Sequence, residues 1–99
     1  MNARIEQSQV GIISFVGELK FEQAEECRKD LEKLVKEQPE GEVVLDLAAV
    51  TDLDSSALSL LLCAQRACSK GKELTLTNVP AGMQSLAELV GLKGILKGL

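Results

Sequence analysis

Residues 43–62 read Val43-Val44-Leu45-Asp46-Leu47-Ala48-Ala49-Val50-Thr51-Asp52-Leu53-Asp54-Ser55-Ser56-Ala57-Leu58-Ser59-Leu60-Leu61-Leu62. The hydrophobic period changes within this stretch. Val43 to Leu47 is a short, nearly continuous apolar run with β-branched residues, which predicts an interior strand covered on both faces. From residue 55 to 70, Ala57, Leu60, Leu61, Ala64, Ala67 and Cys68 recur at helical spacing, and Gly71 sits where a C-terminal glycine belongs. Between the two, Ala48 to Asp54 reads as a loop. A buried strand that passes through a loop into a helix is the unit of a parallel α/β sheet, and the loop at the strand's carboxyl end is the usual place for function.

The flanking segments fit that unit. Upstream, Glu22 to Glu37 predicts a helix. Ala24, Cys27, Leu31, Leu34 and Val35 form one apolar stripe, and Glu25–Lys29 and Glu32–Lys36 lie at i, i+4 on a solvated face. Pro39 and Gly41 stop it. Before it, Ile5 to Gln7 and Val10 to Val16 predict two strands around a Ser8-Gln9 turn, with Gly17 ending the second. Downstream, Leu74 to Thr77 alternates as a strand with one wet face. Pro80 then opens a third helix whose core side is Met83, Leu86, Leu89 and Val90, closed by Gly91. A tail with Leu92, Ile95, Leu96 and Leu99 repeats an apolar step. The order β-β-α-β-α-β-α predicts a single α/β domain over residues 1–99, with a four-stranded mixed sheet and three helices.

Composition narrows the function. Of 99 residues, 45% are apolar and 26% charged, the balance of a soluble globular domain. Histidine, tryptophan and tyrosine are absent, and Phe15 and Phe21 are the only aromatic residues. That removes the commonest general base and zinc ligand, and the stacking platforms for single-stranded nucleic acid. The net charge of −4 is no footprint for DNA. Cys27, Cys63 and Cys68 form no Cys-x-x-Cys pair and read as small core hydrophobes in a reducing cytoplasm. The opening residues hold no apolar leader, and the longest apolar run, Leu60 to Ala64, is far short of a membrane span. Charge is uneven: residues 18–54 hold 12 acids and 5 bases (net −7), residues 55–99 hold 2 acids and 5 bases (net +3). Opposed signs of this kind suit a protein partner.

The junction from Val50 to Leu58 is where polar and acidic residues concentrate. Asp54 or Ser55 as a helix N-cap explains much of it, because their oxygens accept free N–H groups of the first turn. An aspartate nucleophile at Asp46, Asp52 or Asp54 lacks the lysine and further acids such sites need. A catalytic serine at Ser55 or Ser56 lacks a base. No glycine-rich phosphate loop accompanies the junction, so no nucleotide or other cofactor is implied. The remaining functional reading is a partner-reading or phosphorylatable serine at the helix start. Leu58 and Leu62, one turn apart and off the centre of the buried stripe, would then be either covered or part of a docking patch.

Asp54-Ser55-Ser56-Ala57-Leu58, after Val43-Val44-Leu45-Asp46-Leu47 and before a leucine-rich helix, resembles the signature of STAS domains, the sulfate-transporter and anti-sigma-factor-antagonist modules. Gly17-Glu18-Leu19 before the first helix is similar to the family's Gly-x-Leu signature. Lys70-Gly71-Lys72-Glu73-Leu74-Thr75-Leu76, Leu86-Ala87-Glu88-Leu89 and Gly91-Leu92 are similar to the small cytosolic subunit of the Mla-type ABC complex. The family has the same element order, and the resemblance covers nearly the whole chain. It implies a non-catalytic module that binds the ATPase subunit of a phospholipid-transporting complex, so that the protein is cytoplasmic and reaches a membrane only through that complex. The other branch implies an anti-sigma-factor antagonist that binds a serine kinase and is phosphorylated on Ser56. The partner-binding residues expected from the resemblance and from the leucine pattern are Asp54, Ser55, Ser56, Ala57, Leu58 and Leu62. Ala57 departs from the family's glycine after the hydroxyl pair.

Overall fold

In the computed structural model, which describes residues 4–68, 71–89 and 91, β2 (Ile12–Leu19), β3 (Gly41–Leu53) and β4 (Lys72–Thr77) run parallel, and β1 (Arg4–Gln9) adds antiparallel to β2. The sheet order is β1-β2-β3-β4. Helix α1 (Phe21–Glu37) carries the chain from β2 to β3, α2 (Ser56–Ala67) from β3 to β4, and α3 (Ala81–Leu89) follows β4. This is the α/β architecture and element order expected from the sequence. No described helix is long and apolar enough to cross a membrane.

The core lies between the helices and one face of the sheet. Ile13, Phe15 and Leu19 of β2, Val43, Leu45 and Leu47 of β3, and Leu74 and Leu76 of β4 are all buried, and register partners such as Ile13–Leu45 and Leu45–Leu76 share that face. Ala24, Cys27, Leu31 and Val35 of α1 and Ala57, Leu60, Leu61, Ala64 and Ala67 of α2 close it from above. The opposite face, with Ile12, Ser14, Val16, Val44, Asp46, Thr75 and Thr77, is only half-buried. β3 is therefore covered on one face, not two. Its apolar run looked two-sided because Val44 faces outward, while Asp46 beside it is held by the side-chain amide of Asn78 at 2.9 Å.

Several boundaries move, each for a local reason. The hairpin turns at Val10-Gly11 rather than at Ser8-Gln9, because the turn needs a positive φ and Gly11 supplies it at +83°. Val10, a β-former by type, is left 71% exposed at the tip. Gly17 does not end β2 but sits inside it at φ +110°, beside a register shift. β2 thus extends to Leu19, and its edge pairs with the segment read as a loop. Val16, Gly17, Glu18 and Leu19 face Ala49, Val50, Asp52 and Leu53. Backbone pairing, not side-chain pattern, makes 48–53 a strand. Helix α2 is shorter than 55–70, running from Ser56 to Ala67. On α3, Met83 is buried and Leu86 half-buried, but Leu89 is 81% exposed. Val90 and the apolar tail lie outside the described residues. Of the three cysteines, Cys27 is buried, whereas Cys63 and Cys68 are half-buried. The ion pair on α1 is Arg28–Glu32 at 3.0 Å, not Glu25–Lys29 or Glu32–Lys36.

Two polar clasps fix the frame at the end remote from the junction. Gln38, buried after α1, accepts the Gly11 N–H at 2.8 Å and donates to the Leu34 carbonyl at 2.9 Å. Lys72 Nζ donates to the carbonyls of Val35 (3.0 Å) and Lys36 (2.7 Å), placing a cation at the negative end of α1.

Candidate functional site

The carboxyl ends of β2 and β3 lie side by side, and each feeds a helix. Their meeting point is Asp54. Its backbone N–H donates to the Leu19 carbonyl at 3.3 Å. Its Oδ1 accepts the Ser56 N–H at 2.8 Å and its Oδ2 accepts the Phe21 N–H at 3.3 Å. One carboxylate therefore caps the first turns of both α1 and α2. The sequence left the cap open between Asp54 and Ser55. The side chain that caps is Asp54, while Ser55, at helical φ −63° and ψ −18°, makes no capping bond and is exposed.

Ser56 is half-buried and lines a groove of about 150 Å³ between α1 and α2, shared with Phe21, Glu25, Arg28, Ser59 and Cys63. Phe21 stands 63% exposed at its mouth. Beside the junction, Lys20 Nζ meets Asp52 at 2.8 Å and Glu18 at 3.7 Å. The hydrogen bond and charge of Asp52 raise the Lys20 ammonium above its ordinary range, and the Lys20 contact, helped by the Leu53 N–H, holds Asp52 below the ordinary carboxylate range. Both groups are exposed, so this pair sets local charge rather than core stability.

Of the six partner-binding residues expected from the sequence, Asp54, Ser55 and Ser56 come together at the surface. Ala57 and Leu58 do not: Leu58 is 3% exposed and Ala57 fully buried, both within the core. Leu62 is half-buried against that core. Leu58 is thus covered and Leu62 partly so, because α2 presents a broad apolar face to the core. Phe21 and Arg28 were missed. Phe21 precedes the stripe by which α1 was recognised, and only the approach of α2 makes a groove from it. Among the described residues, neither Ser55 nor Ser56 has a hydroxyl hydrogen-bonded to a lysine or arginine, and no group of three acidic or thiol side chains is placed to hold a metal ion.

Sequence and structure comparisons bear on the same elements. The family model described as "Mlab, STAS domain" matches residues 3–97. The chain belongs to the STAS family. No curated protein sequence matches it. Among solved structures, the STAS fold here is similar to an anti-sigma factor antagonist from Mycobacterium paratuberculosis, at 24% identity and a TM-score of 0.69, over 96% of this chain and 81% of that one. It is similar to the phosphorylated form of the Bacillus cell fate determinant SpoIIAA, at 19% identity and a TM-score of 0.64, over 91% and 84% of the two chains. It is also similar to a sulfate transporter family protein from Wolinella succinogenes, at 22% identity and a TM-score of 0.66, over 92% and 75%. At these identities the likeness concerns the STAS fold itself.

Proposed function

We propose that this STAS domain is a non-catalytic docking module whose partner is the ATPase subunit of a phospholipid-transporting ABC complex. The family match over residues 3–97 is to the Mlab type, and this is the observation that carries the reading. The docking end is the Asp54–Ser56 junction with the α1/α2 groove. It offers exposed hydroxyls, an exposed aromatic ring at Phe21 and no activated nucleophile. The module works by preferential binding to one state of the ATPase and needs no chemistry of its own. It is held at the cytoplasmic side of a membrane only through that complex.

The test is reconstitution with the ATPase subunit. Ser55→Arg and Phe21→Ala leave the fold intact, since both positions are exposed, and are expected to weaken binding and lower transporter ATPase activity. Unchanged binding and activity in both variants would refute the reading. A charged residue at Leu58 is not a usable probe, because it would disrupt the core.

A second reading is favoured by the position of Ser56. Its hydroxyl lines an open groove next to Asp54, and the similar protein SpoIIAA exists in unphosphorylated and phosphorylated forms. On this reading the chain is an anti-sigma-factor antagonist. Phosphorylation of Ser56 would add about −1.5 to −2 charges beside Asp54 and Glu25 and release the partner. Incubation with a candidate serine kinase and ATP, followed by mass mapping, decides it: phosphate on Ser56 supports the antagonist, and an unmodified chain rejects it.

A further inference from the structure

β1 is one of the two edge strands of the sheet, the other being β4, and its unpaired side carries a self-complementary pattern. Among the described residues β1 pairs only with β2, so its outward N–H and C=O groups have no strand partner there. Arg4 and Glu6 share a register face with Val16 and Ser14, the half-buried face of the sheet, and Ile5, opposite Phe15, faces the helices. Below that edge, between β1 and α1, lies an open cleft of about 470 Å³. Ile5, Cys27 and Leu34 supply its apolar surface, and Arg4 also lines it beside charges of both signs from α1.

We propose that this edge is a homodimer interface, in which β1 pairs antiparallel with β1 of a second copy about a two-fold axis at Ile5. Two-fold pairing about one residue keeps like faces together, so only a few registers are open. Centred on Ile5, the Arg4 of each copy lies opposite the Glu6 of the other, giving two cross-strand pairs of opposite charge. Centred on Arg4 or on Glu6, the same strand sets like charges against each other. Directly opposed side chains in an antiparallel pair have Cβ atoms about 4.5–5.5 Å apart, close enough for both ion pairs. Arg4 and Glu6 already meet at 2.8 Å within one chain, so the two pairs join into a four-charge cluster on one face. On the other face the two Ile5 side chains meet at the axis and bring the two clefts together. The register shift between Gln7 and Gln9 confines the regular ladder to the first residues of β1, where these charges lie.

This surface is separate from the docking groove. The groove uses Phe21, Ala24, Glu25 and Arg28 of α1, whereas the cleft uses Glu26, Cys27, Asp30 and Leu34, a different flank of the helix. A dimer through β1 therefore carries two uncovered grooves, and the inference stands whichever partner the groove takes.

Sedimentation velocity of the full chain over a wide concentration range tests it. The mass of the unaltered protein is expected to rise from one chain to two. Glu6→Arg, an exposed change, places like charges across the axis and is expected to weaken the dimer about tenfold. Combining Arg4→Glu with Glu6→Arg keeps both pairs with signs exchanged and is expected to restore it. A single-chain mass at every concentration overturns the proposal. So does a Glu6→Arg protein that dimerises like the unaltered one, or a double exchange that fails to recover.

Discussion

Asp54 receives the Phe21 N–H on one carboxylate oxygen while the other accepts the N–H of Ser56, so the starts of two helices hang on one side chain. Each helix has free N–H groups and partial positive charge at that end. Replacing Asp54 by alanine orphans both at once. The expected cost is about 1–3 kcal/mol, the sum of two caps. Thermal unfolding should show Asp54→Ala melting well below the unaltered protein, with Asp54→Asn between the two because its single carbonyl oxygen serves one helix. An alanine variant that melts normally would mean the two bonds carry no weight.

Gln38 is the buried counterpart at the other end. Its Oε1 accepts the Gly11 N–H and its Nε2 reaches Leu34, tying the hairpin turn to the end of α1. Gln38→Leu keeps the volume but strips the part-buried Gly11 N–H of its acceptor. A loss of about 1–3 kcal/mol is expected in urea denaturation, with the slope of the transition unchanged.

The Lys20–Asp52 pair predicts a modest pH signature. Asp52 titrates lower in the folded state than its ordinary 3.8, so it contributes stability above that value, and the contribution is lost as pH falls through the lower folded value. Lys20 titrates above its ordinary 10.5, so its contribution is present below that value and fades as pH rises beyond the folded one. Lys20→Met should therefore differ from the unaltered protein at neutral pH and converge with it at both extremes. The difference should shrink with added salt, since both groups are exposed.

Thiol labelling should separate the cysteines. Burial, reinforced by Asp30 and Glu26, raises the Cys27 thiol, and burial raises Cys68. Cys27, 7% exposed on the wall of the β1/α1 cleft, is therefore expected to react with a thiol-specific disulfide reagent much more slowly than Cys63. Cys63, at the α1/α2 groove, should react in the native protein and be shielded when a partner fills the groove. Fast native labelling of Cys27 would contradict the packing described.

The groove also predicts a hot spot. Phe21→Ala removes the one exposed aromatic ring at the docking end, and about a tenfold or greater loss of partner affinity is expected by titration calorimetry, with little change in melting temperature. Ser59→Arg should act in the same direction by filling the groove.

The sequence by itself determined the element order, the stripe on α1, the alternation of β4 and the Asp54–Ser56 junction. Each is written in short-range periodicity or in capping chemistry, which neighbours along the chain control. Tertiary structure decided the rest. Residues 48–53 are a strand because β2 lies alongside them, and no pattern within the segment records that pairing. The turn moved to Val10-Gly11 because a positive φ outweighed the β preference of Val10. Leu58 and Leu62 stood open on the helix between cover and a docking patch, and Leu58 is buried while Leu62 is half-buried, since which side of a broad apolar face is buried depends on what packs against it. Phe21, about a third of the chain away from the serines, became part of their site only when Asp54 drew the two helix starts together.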